Sequence, residues 1–241
     1  MYQGIPIKRL LIQSISQNKV QWATGIALLI HSVGLMGMLW LETNWFARMT
    51  PLNLVIMFSL VVWTQSEKKR NFYIFLVLSF FIGMFSEIIG VQTGLLFGNY
   101  AYGAILGFQF AEVPLIIGLN WFVVIFSAVA TIFYFTRLIG PTNKLKAPSA
   151  ECAPIGVNIL IGAAFLATFF DWVMEPVAVN LGFWAWAGEG KIPVLNYLSW
   201  FFISIIMMSI FRFLRIRPDN LFAVHLFLIQ MMFFMLLRVF L

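Results

Sequence analysis

Four carboxylic acids stand in stretches that otherwise read as soluble in lipid. Asp171 and Glu175 lie four residues apart in "FFDWVMEP", Glu87 sits near the end of an apolar run at 72–90, and Glu112 comes just before Pro114. A charge at membrane depth costs at least about 2.5–3.5 kcal/mol, so such groups usually face a cavity or a partner. No Lys or Arg falls inside these runs at a matching depth. Desolvation and mutual repulsion then favour at least one neutral carboxyl, which is a proton donor held in an apolar pocket. The alternative is that the acids only hydrogen-bond backbone at helix ends, Glu175 and Glu112 above all.

Aromatic residues keep step with the acids. Glu87 is followed at 13 and 15 residues by Tyr100 and Tyr102, and Asp171 at the same distances by Trp184 and Trp186. Gly98 and Gly182 match as well, as do Pro114 with Trp121 and Pro193 with Trp200, each pair seven residues apart. The offsets, 84 and then 79 residues, predict a parallel internal repeat over about 72–136 and 155–211. A two-fold axis along the membrane normal would bring Glu87 and Asp171 toward each other. The four aromatics could form an ordinary interfacial belt, but their shared spacing from an acid favours a joint role in lining a pocket.

The elements that must position these groups follow from composition. The 241 residues are 62% hydrophobic and 10% charged, with a mean hydropathy of +0.94, which excludes a soluble domain. Apolar runs at about 20–41, 52–66, 72–90, 113–136, 155–178, 194–211 and 221–241 predict an all-α polytopic membrane bundle of about seven helices, one domain over 1–241. The second run is the shortest, although Pro51 suits a first helical turn. Charge keeps it. With the N-terminus inside, twelve Lys and Arg fall on the cytoplasmic side, including Lys8, Arg9, Lys68, Lys69 and Arg70, against Arg48, Lys191 and Arg238 outside. The net charge of +6 is therefore an orientation signal and an attraction to anionic lipid, with nothing left over for nucleic acid.

Glu87 and Asp171 each lie 16 residues into their runs, counted from Asn71 and Ile155, at about 24 Å from the cytoplasmic boundary. Pro176 predicts a kink or helix end after Glu175. Glu112 approaches from the other direction, so four carboxyl groups are expected at one depth. The segment 90–112 carries no charge before its last residue and holds five glycines, as a re-entrant or interfacial loop would. His31 and His225 are expected to hydrogen-bond across helices. Cys152 excludes an internal disulfide, and no metal or nucleotide motif is found.

A neutral carboxyl, aromatic walls and access from lipid suit protonation of a carbon–carbon double bond in an isoprenoid. The resulting tertiary cation would be stabilised by ring faces and a second carboxylate. Water oriented by that carboxylate would give a tertiary alcohol; without water the cation would cyclise or lose a proton.

The strings "SEIIGVQTGLLFGNYAYG", "VPLIIGLNW", "DWVMEPVAVNLGFWAW" and "IPVLNYLSWF" resemble the CruF-type carotenoid hydratases, over roughly residues 83–203. The resemblance implies a cofactor-free integral membrane enzyme, in a prokaryotic plasma membrane, that hydrates the C1′=C2′ bond of an acyclic end group on γ-carotene or lycopene. Its partners would be the carotenoid, membrane lipid and other carotenoid biosynthesis enzymes. It marks Asp171, Glu87 and Glu175 as catalytic, and Tyr100, Tyr102, Trp121, Trp184, Trp186, Asn196 and Trp200 as substrate-binding; the convergence of the acids adds Glu112 to the substrate-binding set. Asp171 is the expected general acid, with Glu87 or Glu175 activating water, and the sequence equally allows the acid and base roles to be exchanged. A proton-coupled transporter with its acids in a relay, and a carotenoid cyclase, are the alternatives.

Overall fold

The fold is that of a computed structural model, described over residues 7–139, 155–188 and 190–241, with side chains from residue 17 onward. Lys144, Lys146 and Cys152 lie outside the described residues, as do the side chains of Lys8 and Arg9. Eight helices run in order among them: α1 (Ile7–Trp40), α2 (Thr43–Arg48), α3 (Thr50–Thr64), α4 (Arg70–Thr93), α5 (Ile116–Ile139), α6 (Val157–Asn180), α7 (Val194–Phe213) and α8 (Leu221–Phe240).

Six of these helices are long and apolar enough to cross a membrane. The exception among the seven expected spans is α3, whose 15 residues rise only about 22 Å. Pro51 does sit in its first turn, where the missing N–H costs nothing. Short α2 precedes α3, with only Met49 between the two.

Helix α5 is the axis of the bundle. It is apolar all round, and its side chains are buried without a break from Trp121 to Thr131. An apolar surface on every side suits either lipid or a protein core, and here the core wins, since α3, α4, α6, α7 and α8 all pack on it.

Helices α4 to α7 alternate in direction, so one end of the bundle gathers the C-terminal turns of α4 and α6 and the N-terminal turns of α5 and α7. The connections at this end form two small antiparallel sheets. Strand β1 (Tyr100–Tyr102) pairs with β4 (Trp184–Trp186), and β2 (Gln109–Phe110) pairs with β3 (Val113–Pro114). The register of the first pair is Tyr100 with Trp186, Ala101 with Ala185 and Tyr102 with Trp184. Residues that the 84-residue offset equates therefore meet about a local two-fold centred on Ala101 and Ala185. The 90–112 segment lies folded onto the bundle, with Phe97 and Leu106 buried.

Two expectations need correction here. Glu112 does not reach the other acids: it is exposed, in the two-residue turn between β2 and β3. Both turn residues have positive φ, 49° at Ala111 and 66° at Glu112, the geometry of a tight hairpin that carries its side chains outward. Counting depth along the chain could not foresee that reversal.

Pro176 does not end or break its helix either; α6 runs on to Asn180. Proline removes the N–H that would have bonded the carbonyl of Trp172. Arg238 of α8 supplies the missing donor, with its Nη1 2.8 Å from Trp172 O and its guanidinium 4.0 Å from the Trp172 ring centroid. Arg238→Leu should therefore lower stability by about 1 kcal/mol, since the group is exposed and loses one charge-assisted bond. Thermal unfolding in detergent measures this, and an unchanged midpoint would count against the clamp.

The opposite end of the bundle is held by ion pairs. Glu67 meets Lys69 at 3.0 Å and Arg217 at 3.2 Å, and Arg137 meets Asp219 at 3.0 Å. Lys69 beside it, followed by its other cationic neighbour, holds the Glu67 carboxyl below its ordinary range. Between the two ends lies a cluster of fully buried rings, Phe72, Phe75, Phe122, Phe126 and Phe211, with centroids 5.0–6.0 Å apart.

Candidate active site

Three acids come together where the sheets cap the bundle. Glu87 is 5% exposed, Asp171 0% and Glu175 3%. They share one cavity of about 30 Å³ with Tyr100, Tyr102, Trp121, Trp184, Trp186, Asn196 and Trp200. Of the eleven residues expected at the site, only Glu112 is elsewhere.

Each acid has its own set of donors. On Glu87, the Tyr100 hydroxyl donates to Oε2, the Tyr102 hydroxyl donates to the same oxygen at 2.8 Å, and Trp121 Nε1 donates to Oε1 at 3.0 Å. Close approach permits this: a Cβ at Gly83 would stand 2.6 Å from the Trp121 ring, and one at Gly90 would stand 2.6 Å from the Phe97 ring and 3.0 Å from the Tyr100 hydroxyl. Burial, and then the neighbouring Glu87, push both phenols well above their ordinary range, so they remain protonated donors.

On Glu175, the indole N–H groups of Trp184 and Trp186 donate to Oε2 at 3.1 and 3.0 Å. Strand β4 aims both rings inward, since residues 184 and 186 share one face of a strand and both are buried. Sequence spacing had tied these two indoles to Asp171. They bind instead the acid one turn further on, which lies nearer the capping strands.

Asp171 is left with less. Asn196 Nδ2 donates to its Oδ2 at 2.7 Å and, at 3.4 Å, to Glu175 Oε1. Its other oxygen, Oδ1, is buried with no partner among the described residues. Asn196 is thus the bridge between the two acids of α6.

Trp121 and Trp200 stack face to face at 3.9 Å with a 16° interplanar angle, so the two residues equated by the 79-residue offset form a shared wall. Tyr100 and Trp186 lie 5.2 Å apart and Tyr102 and Trp184 5.8 Å, which completes an aromatic enclosure. Among the described residues no Lys, Arg or His lines the cavity, but Arg238 at the Trp172 carbonyl stands one residue from Asp171, so the expectation that no cation lies at that depth does not hold. Among the described residues, no three His, Cys, Asp or Glu side chains are placed to hold a metal ion.

Sequence reasoning missed Phe97, Ile117, Asn120 and Met174, which also line the cavity. Asn120 was detectable, as a polar residue beside Trp121 in an apolar run. The other three are apolar among apolar neighbours and carry no local signal. His225 accepts or donates across helices as expected, 2.8 Å from Thr24 Oγ1, whereas His31 bonds within its own helix to Ala27 O.

Comparison with known proteins follows the same lines. Searches of curated proteins and of solved structures found no match. The family described as carotenoid biosynthesis protein matches residues 46–241, reaching beyond the resembling segment at 83–203 on both sides to take in the end of α2 and all of α3 and α8. With about four-fifths of the sequence inside that match, and the acids, their aromatic donors and the helices that carry them all within it, the chain belongs to the carotenoid biosynthesis protein family.

Proposed function

We propose that the protein is a carotenoid hydratase that adds water across the C1′=C2′ double bond of an acyclic end group, as on γ-carotene or lycopene. The observation that carries this reading is the asymmetry among the acids. Glu87 and Glu175 accept three donors each, which offsets part of the cost of charge on them, while Asp171, with Asn196 alone as donor, keeps one buried oxygen without a partner among the described residues. A proton on Asp171 Oδ1 removes the cost of a bare anionic oxygen and leaves an O–H group facing the aromatic enclosure.

The chemistry balances on these groups. The C1′=C2′ π pair takes the Asp171 proton, leaving a tertiary cation and the Asp171 carboxylate. The hydrogen-bonded carboxyl groups of Glu87 and Glu175 and the faces of Tyr100, Trp121, Trp186 and Trp200 stabilise the cation. Water oriented by Glu175 forms the new C–O bond, and its surplus proton restores Asp171, so the net change is one added water. No redox partner or cofactor enters this cycle.

The 30 Å³ cavity is smaller than the roughly 150 Å³ that accommodates a six-carbon ring. An end group therefore enters as the walls part, and the mobile candidates are the unbranched Met174 and the strand-borne indoles. The membrane is that of a prokaryotic cell, and neighbouring carotenoid enzymes supply the substrate and remove the product.

Expression in a host that accumulates lycopene or γ-carotene tests this reading. A pigment heavier by one water with an unchanged chromophore is expected. An unchanged mass with a shifted chromophore would instead identify a cyclase. A proton-coupled transporter would need its acids spread along a transmembrane path, and it is disfavoured because the three buried acids share one cavity.

A further inference from the structure

A second cavity of about 50 Å³ adjoins the acid site and shares Ile117, Asn120, Met174 and Trp184 with it. We infer that this cavity holds the water that the reaction consumes, an inference that rests on the hydratase reading. It is bounded by α1, α3, α5, α6 and α8, and it has room for roughly three waters at about 10–15 Å³ each.

Its polar groups call for a donor. Asn53 Oδ1 is sealed from solvent and has no partner among the described residues. His31, 6% exposed, has Nδ1 2.8 Å from Ala27 O. A carbonyl only accepts, so the proton is on Nδ1, and Nε2 of the neutral ring is left as an acceptor. Gln230, 4% exposed, lines the same space from α8, and Asn120 stands between this cavity and the acids. Buried acceptors without donors are where internal water is held. A polyene offers no such donor, so the apolar substrate does not match this chamber.

The position also suits delivery. Asn53 is on the first turns of α3, at the end of the bundle where the acids lie, so the polar residues lead from that end inward toward Asn120. A water leaving the chamber past Asn120 and Met174 reaches the cation on the side of Glu175. It forms the C–O bond there and gives up its proton to the Asp171 carboxylate.

The test has two readouts on the purified full chain. Radiolytic hydroxyl labelling, done without substrate, should modify Met174 and Phe233 well above the dry-core residue Phe122. Gln230→Leu should lower that labelling several-fold. In membranes suspended in D2O, the same variant should form at least 10-fold less hydrated carotenoid, while deuterium still exchanges into recovered substrate through the unaffected protonation step. Gln230→Asn, which keeps the amide, should preserve both readouts. Wild-type labelling no greater than that of Phe122, unchanged hydration in Gln230→Leu, or equal losses in the Leu and Asn variants would overturn the inference. A wild-type protein that labels as expected yet hydrates nothing would overturn the proposed function and leave the water chamber standing.

Discussion

Asp171→Asn is expected to reduce formation of hydrated carotenoid by about 100- to 10,000-fold, the usual contribution of a positioned general acid. The substitution keeps the shape of the side chain. Its amide oxygen can still accept from Asn196 Nδ2 where Oδ2 now does, at 2.7 Å, so the bridge to Glu175 and the fold should survive. What disappears is a transferable proton on the atom that has no other partner. Product per unit of folded, membrane-inserted protein is the quantity to measure, with thermal unfolding as the control. Wild-type turnover in this variant would move the acid role to another carboxyl, whereas loss of both turnover and unfolding midpoint would make Asp171 structural.

Glu87→Gln should be nearly as severe, for a different reason. The carboxylate takes two phenolic donors on one oxygen and an indole donor on the other. An amide puts an N–H group where one of those donors points, so at least one buried donor loses its acceptor at a cost of about 1–3 kcal/mol. It also removes a carboxyl group from beside the cation, which should lower turnover by about 100-fold or more. Glu87→Asp, which keeps the charge but shortens the reach, should lie between wild type and Gln. Equal activity in all three proteins would remove Glu87 from the reaction and leave it a cradle for the capping strands.

The sequence made the site's membership legible because lipid makes polar residues rare. An acid in an apolar run has few neutral explanations, and so Glu87, Asp171 and Glu175 could be picked out one by one. The repeat told which aromatics would accompany them. Finer assignments failed where the geometry depends on a single turn of chain. Asp171 and Glu175 share one helix face and differ by about 6 Å of rise, so spacing alone could not say which one meets Trp184 and Trp186. Glu112 was misplaced because a linear count of depth assumes a helix, and residues 109–114 form a hairpin instead. Pro176 misled because its local rule is real but a distant group, Arg238, satisfies the carbonyl it frees. The second cavity was invisible in the sequence, since its liners come from five helices with no common spacing.

The pairing of β1 with β4 in a register centred on Ala101 and Ala185 bears on how such a site changes over generations. If the two halves descend from one ancestral unit, that unit met its own copy across the same strand and the same indole, and it carried one acid per copy. In the first half the acid kept its ring donors, as Glu87 does with Tyr100 and Tyr102. In the second half the ring donors serve Glu175, one turn along, and the inherited position is Asp171. On that descent a duplicated acid would have become redundant as an anchor and free to take on the proposed reactivity, and later substitutions at positions 171 and 175 could alter the chemistry without disturbing the scaffold that both halves maintain.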